Sequence, residues 1–541
     1  MILSLKDGII SLKCYELLYS LGIAIFFVFV LCFFFPPKWE TNDDVAMSMI
    51  AHGYGIAAKG SPNILFSNVL WGYLVREIPT INGVLGYSVA TLGVLVAVGG
   101  ILIWSLGRRG VGHVACLSVL ALTLTGPTVF PQFTINSGLL FLGAILCWQM
   151  YAQESSQRAL LGGCILAFLS YLVRGPEFLL VFIVALPLLP WRPLLLRRPA
   201  KYIIFALLLS IAISAIIDHQ AYQGDEWRLF NELNPVRAAY TDHGAGNLLK
   251  HHPDILANHD FSTNDINLIS QWFFVDPAIA NPIVLQSMLS ELGPVHTQEN
   301  ALTNGLAGIQ ALWHPRLLAS LLAALCLVFL LPSWKVTASW GLCVLAVFAL
   351  GLLGRPGTLR VYVPLISLLL IAPFLAGQIS GWQKRLSASV LVVTALANAV
   401  YVFDESKTYN SDAQQARLDL TNFPISPVII WGATFPYDAV YPVFGASSSA
   451  MSYQHYGLGT STLAPFTIAY SEQKAGRGFT DLLTQNAGVP LMAYPTYINM
   501  LETYCKERLR GKLNELSKQQ YGATKLYGAI EMSFIRCDVK P

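Results

Sequence analysis

The chain has 541 residues, of which 54% are hydrophobic and only 12% charged, against roughly 25% charged in an average soluble domain. A water-soluble core has no use for that much apolar surface, so a soluble enzyme or binding module is excluded. The formal net charge of +3 carries little information and no nucleic-acid partner is expected; how the charges divide between the ends of the apolar runs matters more.

Runs near the roughly 20 apolar residues that a helix needs to cross a bilayer begin with Leu17–Phe35, which is too long and too aromatic for a signal-peptide h-region and is expected to stay as an anchor. Further runs follow at about Gly83–Leu106, Gly112–Phe130, Ser137–Tyr151, Ala159–Val173, Phe178–Pro190, Tyr202–Ile217, Arg316–Leu331, Thr337–Leu353, Val361–Ile379 and Leu386–Phe403. The pattern predicts a polytopic α-helical membrane protein of about eleven transmembrane helices.

Lys and Arg are retained on the cytoplasmic side of short loops. With the N-terminus inside, the cytoplasmic turns hold Lys6 and Lys13, Arg108-Arg109, Arg158, the group Arg192, Arg197, Arg198 and Lys201, then Lys335, and Lys384-Arg385. The C-terminus and the segments 38–82, 219–314 and 404–541 then lie outside. The chain therefore divides into a membrane domain, 1–403, and an extracytoplasmic domain, 404–541.

Between Pro36 and Gly83 the pattern is amphipathic. Asn42 or Thr41 caps a short helix with Asp43 and Asp44 in its first turn and Gly53 and Gly55 at its end, and a second helix, about Ile64–Ile78, carries Asn68. The segment 219–314 mixes polar residues with Trp227, Trp272 and Trp313 and reads as a packed loop domain. In the last segment Val428–Trp431 reads as a buried strand, Tyr497–Leu516 as a helix and Ala529–Cys537 as a closing strand, giving a small α/β or α+β fold. Seven of the nine cysteines lie in or beside apolar runs; Cys505 and Cys537 alone stand in an exported soluble region, where a disulfide can persist.

The chemistry concentrates in a few places. Asp43 and Asp44, in Trp-Glu-Thr-Asn-Asp-Asp, are adjacent carboxylates that raise one another's pKa, and partial burial adds to this, which suits one of them to act as a general base. Acidic residues in a first helical turn also complement the helix dipole with no further role. Arg174 and Glu177 in Val-Arg-Gly-Pro-Glu, and Arg355 and Arg360 around Pro356-Gly357, place arginines on the outer side against the positive-inside bias; a phosphate is a fitting partner for each. A salt bridge between Arg174 and Glu177, or snorkelling to the headgroups, is the alternative. Gln132, Thr134 and Asn136 sit at helix breaks set by Pro127 and Pro131 and face a cavity or cap helices. Asp218, Trp227, Asn231, Asn234, Arg237 and Asp242 have the aromatic and amide character of a sugar groove, or serve the packing of a folded loop. His243, His251, His252 and His259 match no zinc spacing. Gly-rich phosphate loops, nucleophile elbows and metalloprotease helices are absent.

Asn42-Asp43-Asp44 opening a first outer loop, amphipathic segments after it, a many-span bundle and an external C-terminal domain together resemble the GT-C superfamily of membrane glycosyltransferases. The short motif carries most of the likeness. The resemblance implies transfer of a sugar from a polyprenyl-phosphate donor, of the undecaprenyl-phosphate type, to a glycan, lipid or protein acceptor on the outer face of a bacterial inner membrane, with inversion at the anomeric carbon. It implies Asp43 or Asp44 as the base and Arg355 or Arg360 on the leaving phosphate. Some relatives use Asp-x-Asp or Glu-Asp with a divalent metal, so a role for Mg or Mn stays open. Two other readings stand beside it: an O-antigen or exopolysaccharide polymerase, which relies on outer arginines, and a transporter or flippase, which few charges inside the spans support.

Overall fold

The computed structural model describes residues 2–293, 301–377 and 381–539. In chain order the helices are α1 (Ile2–Phe34), α2 (Asn42–His52), α3 (Val69–Glu77), α4 (Gly86–Arg108), α5 (His113–Val129), α6 (Phe133–Glu154), α7 (Gln157–Ala185), α8 (Trp191–Leu196) and α9 (Arg198–Ala221). Short helices follow: α10 (Arg228–Thr241), α11 (Ala245–Leu249), α12 (Pro253–Asn258), α13 (Thr263–Ser270) and α14 (Pro282–Leu292). Then come α15 (Ala301–Gln310), α16 (Pro315–Leu330), α17 (Trp334–Leu352), α18 (Leu359–Ala376) and α19 (Gly381–Asp419). The C-terminal part holds β1 (Val428–Trp431), α20 (Tyr437–Val440), α21 (Ser448–Met451), β2 (His455–Leu458), α22 (Ile468–Lys474), α23 (Phe479–Thr484), β3 (Val489–Met492), α24 (Pro495–Glu507), β4 (Gly511–Thr524) and β5 (Gly528–Val539).

Two compact units form. The first comprises Met1–Asp44, Phe66–Asp218 and Asn300–Thr408; the second comprises Val45–Leu65, His219–Glu299 and Tyr409–Pro541. The segments read as separate outer loops thus fold with the C-terminal region as one body, a grouping that no division of the sequence at residue 403 anticipates.

Among the described residues, eight helices are long and apolar enough to cross a membrane, or nine when the pair Ala301–Trp313 and Pro315–Leu330, bent by 79°, counts as one. The apolar helix His113–Val129 is shorter. The predicted tenth span ends at Ile379, outside the described residues. The fifth and sixth predicted runs merge into one helical segment, Gln157–Leu188, but its backbone leaves helical geometry at Arg174 (φ −161°, ψ 98°). Pro176 explains the break: it has no N–H to give, and its ring clashes with the carbonyl four residues back.

The partners along α6 tell how the two halves of α7 run. Before the break Ser137 bonds Ser170 (Oγ to carbonyl, 2.9 Å), and Gly163 leaves room for the Trp148 ring. After it Phe141 packs edge-on against Phe178 (4.9 Å between centroids), and Gln149 donates to the Leu188 carbonyl. Partner numbers run in opposite directions in the first half and in the same direction in the second. The chain therefore folds back at Arg174.

Helix ends are set locally. Asn68 caps α3 by accepting from the Leu70 N–H at 3.0 Å and donates its amide to the Ser214 carbonyl. That cap delays the helix start from the predicted Ile64 to Val69. Gly53 and Gly55 end α2 with φ of +75° and +61°, a region glycine enters without Cβ strain.

In the second unit the strands form one sheet in the order β2-β1-β3-β5-β4, with β1 parallel to β2 and β3, and β5 antiparallel to β3 and β4. The helix predicted over Tyr497–Leu516 ends at Glu507 and gives way to β4 at Gly511; the charged residues of the second half line a long strand with an exposed face. Cys505 of α24 and Cys537 of β5 are disulfide-bonded, with Cα atoms 5.9 Å apart.

Candidate functional site

Asp43 and Asp44 open α2 and share its first turn, but their environments differ completely. Asp44 is fully buried. Its Oδ1 accepts from the Tyr87 hydroxyl and from the Phe133 backbone N–H, both at 3.0 Å, and its Oδ2 accepts from the Thr41 hydroxyl at 2.9 Å. Burial, with a smaller push from the Asp43 charge, raises its pKa from the ordinary carboxylate range to about 7, against the pull of the three donors. Asp44 ties the start of α4 and the start of α6 to the α2 turn, and no face of it is open to a substrate.

Asp43 keeps about a third of its side chain exposed, and its Oδ2 accepts from Arg360 at 3.0 Å. Arg360 stands in the first turn of α18. Arg174, at the break in α7, lays its guanidinium over the Phe133 ring at 4.9 Å and lies within electrostatic range of Arg360, Glu177, Asp43 and Arg355. The structure thus brings together Asp43, Asp44, Arg174, Glu177, Arg355 and Arg360, six residues drawn from three parts of the sequence.

Polar atoms around this cluster are unsatisfied. Glu177 is 3% exposed, and its Oε1 has no hydrogen-bond partner among the described residues; Gly138, which also packs against Pro364, lies beside it. Asn136 donates to the Thr91 carbonyl at 3.1 Å but leaves Oδ1 unpaired. Gln132 caps α6 through Oε1, bonded by the Ile135 N–H at 3.0 Å, and leaves Nε2 unpaired. Buried polar groups are nearly always paired in a finished interior.

Arg360 also lines a narrow cleft of about 60 Å³. Its lining includes Glu40, Arg316 and Glu405, where Arg316 donates to both carboxylates and covers the Phe130 ring at 5.3 Å. Burial raises the Glu40 carboxyl above its usual range, opposed by Arg316. The rest of the lining is mostly apolar, with Leu122, Leu317, Val363 and Ile366, and includes the polar side chains of Ser320, Ser367 and Asn398, the last 6% exposed. The sequence reading missed Arg316, although the argument for outer arginines applies to it as to Arg360, and missed Tyr87, for which no local signal exists.

Trp227 and Arg237 belong to the second unit. Trp227 is buried against Tyr222, Phe230 and Phe466, and Arg237 donates to the Thr460 carbonyl and to Asn234. Asn231 donates to the Tyr222 carbonyl. These contacts are the packing of a folded loop, and Asn68 likewise serves as a helix cap.

The carboxylates do not fit a divalent cation: the Asp44 oxygens are taken by three donors, Asp43 faces a guanidinium, and no group of three His, Cys, Asp or Glu side chains with metal-binding geometry exists among the described residues. Compared with known proteins, the chain matches no family model, no curated protein and no solved structure.

Proposed function

We propose that the chain is a membrane glycosyltransferase of the GT-C kind, passing a sugar from a polyprenyl-phosphate donor to a glycan, lipid or protein acceptor at the extracytoplasmic face of a bacterial inner membrane. In this reading the polypeptide crosses the membrane eleven times, N-terminus inside, with the two halves of α7 as separate crossings. The observation that carries it is the Asp43–Arg360 pair with Arg174 and Arg355 in electrostatic range, because one carboxylate and several guanidinium groups at one spot are what attack on a glycosyl phosphate needs.

The step balances simply. The acceptor hydroxyl gives its proton to Asp43 while its oxygen bonds C1 of the sugar; the C1–O bond to phosphate breaks, and its electron pair leaves on the phosphate oxygen. Arg360 and its neighbours stabilise that charge. Donor phosphate competes with Asp43 for Arg360, so donor binding releases the base for work. Asp44, buried and held by three donors, positions Asp43. The apolar walls of the cleft beside Arg360 suit an isoprenoid chain.

Purified protein in nanodiscs, given polyprenyl-phosphate donors carrying labelled hexose, pentose or N-acetylhexosamine and a cell-envelope glycolipid extract, should transfer label, and Asp43→Asn should abolish it. Absence of transfer from every donor, with intact folding, overturns the reading. The grouping of Arg174, Arg355 and Arg360 also favours a second reading, a polysaccharide polymerase; repeated addition of whole oligosaccharide units from a lipid-linked pool would distinguish it.

A further inference from the structure

Trp272, in the loop between α13 and α14, has a φ of +69°, a conformation that is a genuine outlier for a bulky residue. Its neighbours impose it. The Gln271 carbonyl accepts from the Trp431 indole N–H and the Gln271 side-chain oxygen from the Tyr497 hydroxyl, both at 2.6 Å. Phe273 is fully buried among Trp431, Phe479 and Tyr504, at centroid distances of 5.1 to 5.4 Å. With both flanks pinned into the core of the second unit, the residue between them is turned outward, and Trp272 stays half-buried.

An outward residue at this point is most easily Gly or Asn; Trp is among the least suited. The indole is nonetheless supported: the Arg237 guanidinium, 7% exposed, covers one of its faces at 5.0 Å from the ring centroid. Arg237 is itself fixed by the Thr460 carbonyl and Asn234. Strain of this kind persists only where the surroundings over-determine it, and it clusters at ligand clamps. The arrangement is an aromatic plate backed by a cation, and that cation is held in turn by the Asn234 amide and the Thr460 carbonyl.

We propose that Trp272 is the stacking platform of a glycan-binding site on the second unit, taking the C–H face of a pyranose on the uncovered part of the indole while Asn234 and the 459–461 backbone bond its hydroxyls. A saccharide fits better than an apolar peptide because the plate is a single indole, met edge-on by Phe274 at 6.4 Å, and the cation behind it is held by hydrogen-bonding groups. The site is independent of the sugar-transfer reading and would serve a transferase or a polymerase by holding a glycan away from the reacting atoms.

The test is saturation-transfer NMR on the full chain in lipid nanodiscs with maltotetraose, cellotetraose and chitotetraose, empty nanodiscs serving as blank. At least one should receive saturation, strongest on the ring C–H protons. Trp272→Asn, which tolerates the backbone conformation, should keep the thermal stability of the parent yet bind about ten-fold more weakly, the loss of a single stacking contact. Trp272→Phe keeps an aromatic face and should retain most of the binding. No saturation of any of the three by the parent overturns the proposal. Parent-like binding by Trp272→Asn also overturns it. Should Trp272→Asn unfold, binding by Trp272→Phe decides: retention supports the platform, and loss with an unchanged fold refutes it.

Discussion

Arg360 donates to Asp43 at 3.0 Å across 317 positions of sequence, while the adjacent Asp44 turns away and is consumed by Thr41, Tyr87 and Phe133. Two neighbouring carboxylates therefore have two jobs, and their variants should fail in different ways. Asp43→Asn should lower kcat about 10²- to 10⁴-fold, the usual worth of a general base, with the donor KM little changed. Arg360→Lys keeps the charge and loses the planar fork, so it should chiefly raise the donor KM. Steady-state kinetics with a polyprenyl-phosphate sugar separates the two.

Asp44 gives a pH prediction. Its folded-state pKa of about 7 lies above the ordinary value of 3.8, so the folded protein holds this proton more tightly than the unfolded chain. The stability tied to it is complete below about pH 4 and is lost as pH rises through about 7. Thermal denaturation of Asp44→Asn should lack that part of the slope. The same variant should be less stable than the parent at pH 5 by about 1–3 kcal/mol, because its amide brings N–H donors against existing donors.

Gly138 tests the packing under the cluster. A Cβ there would stand 2.3 Å from the Pro364 Cβ and 3.2 Å from Glu177 Oε1, and Pro364 is one helical turn beyond Arg360. Gly138→Ala should cost about 1–3 kcal/mol through overpacking and should also reduce turnover by shifting α18, whereas Gly107→Ala, with open space around it, should do neither. Melting curves and initial rates on both variants check this.

Removing the disulfide should act on the second unit. The bridge closes a loop of sequence separation 32, worth about 3–4 kcal/mol in the loop-entropy account. Cys505→Ser with Cys537→Ser should make residues 409–539 the first part cut in limited proteolysis, with α3 to α8 unaffected. Equal susceptibility with and without the bridge would contradict it.

Much of this was legible in the sequence. Apolar run lengths located the long helices, Gly53 and Gly55 marked the end of α2, and Val428–Trp431 stood out as a strand because four apolar residues lead into a Gly turn. Arg174, Arg355 and Arg360 drew notice because, on the topology expected from the sequence, they break a charge bias. What stayed hidden depends on distant partners. Nothing local distinguishes Asp43 from Asp44; the distinction comes from Tyr87 and from a backbone N–H of Phe133, 89 residues away. Trp227 and Trp272 looked alike as aromatic residues in one loop, yet only the pinning of Gln271 and Phe273 into a core built by residues beyond 430 leaves Trp272 facing outward. The start of β4, up to Leu516, reads as helix because Lys512 and Glu515 continue the charged pattern of α24 and the stretch holds no β-branched residue to signal a strand.

The sheet order also sets a timetable. β5 follows β4 in chain order, yet it lies between β3 and β4 and carries one of the two bridged cysteines. During synthesis β4 therefore has no strand to pair with before β5 emerges, and Cys505 stays a free thiol until Cys537 has followed it. Completion of the sheet and formation of its covalent link thus fall at the same moment.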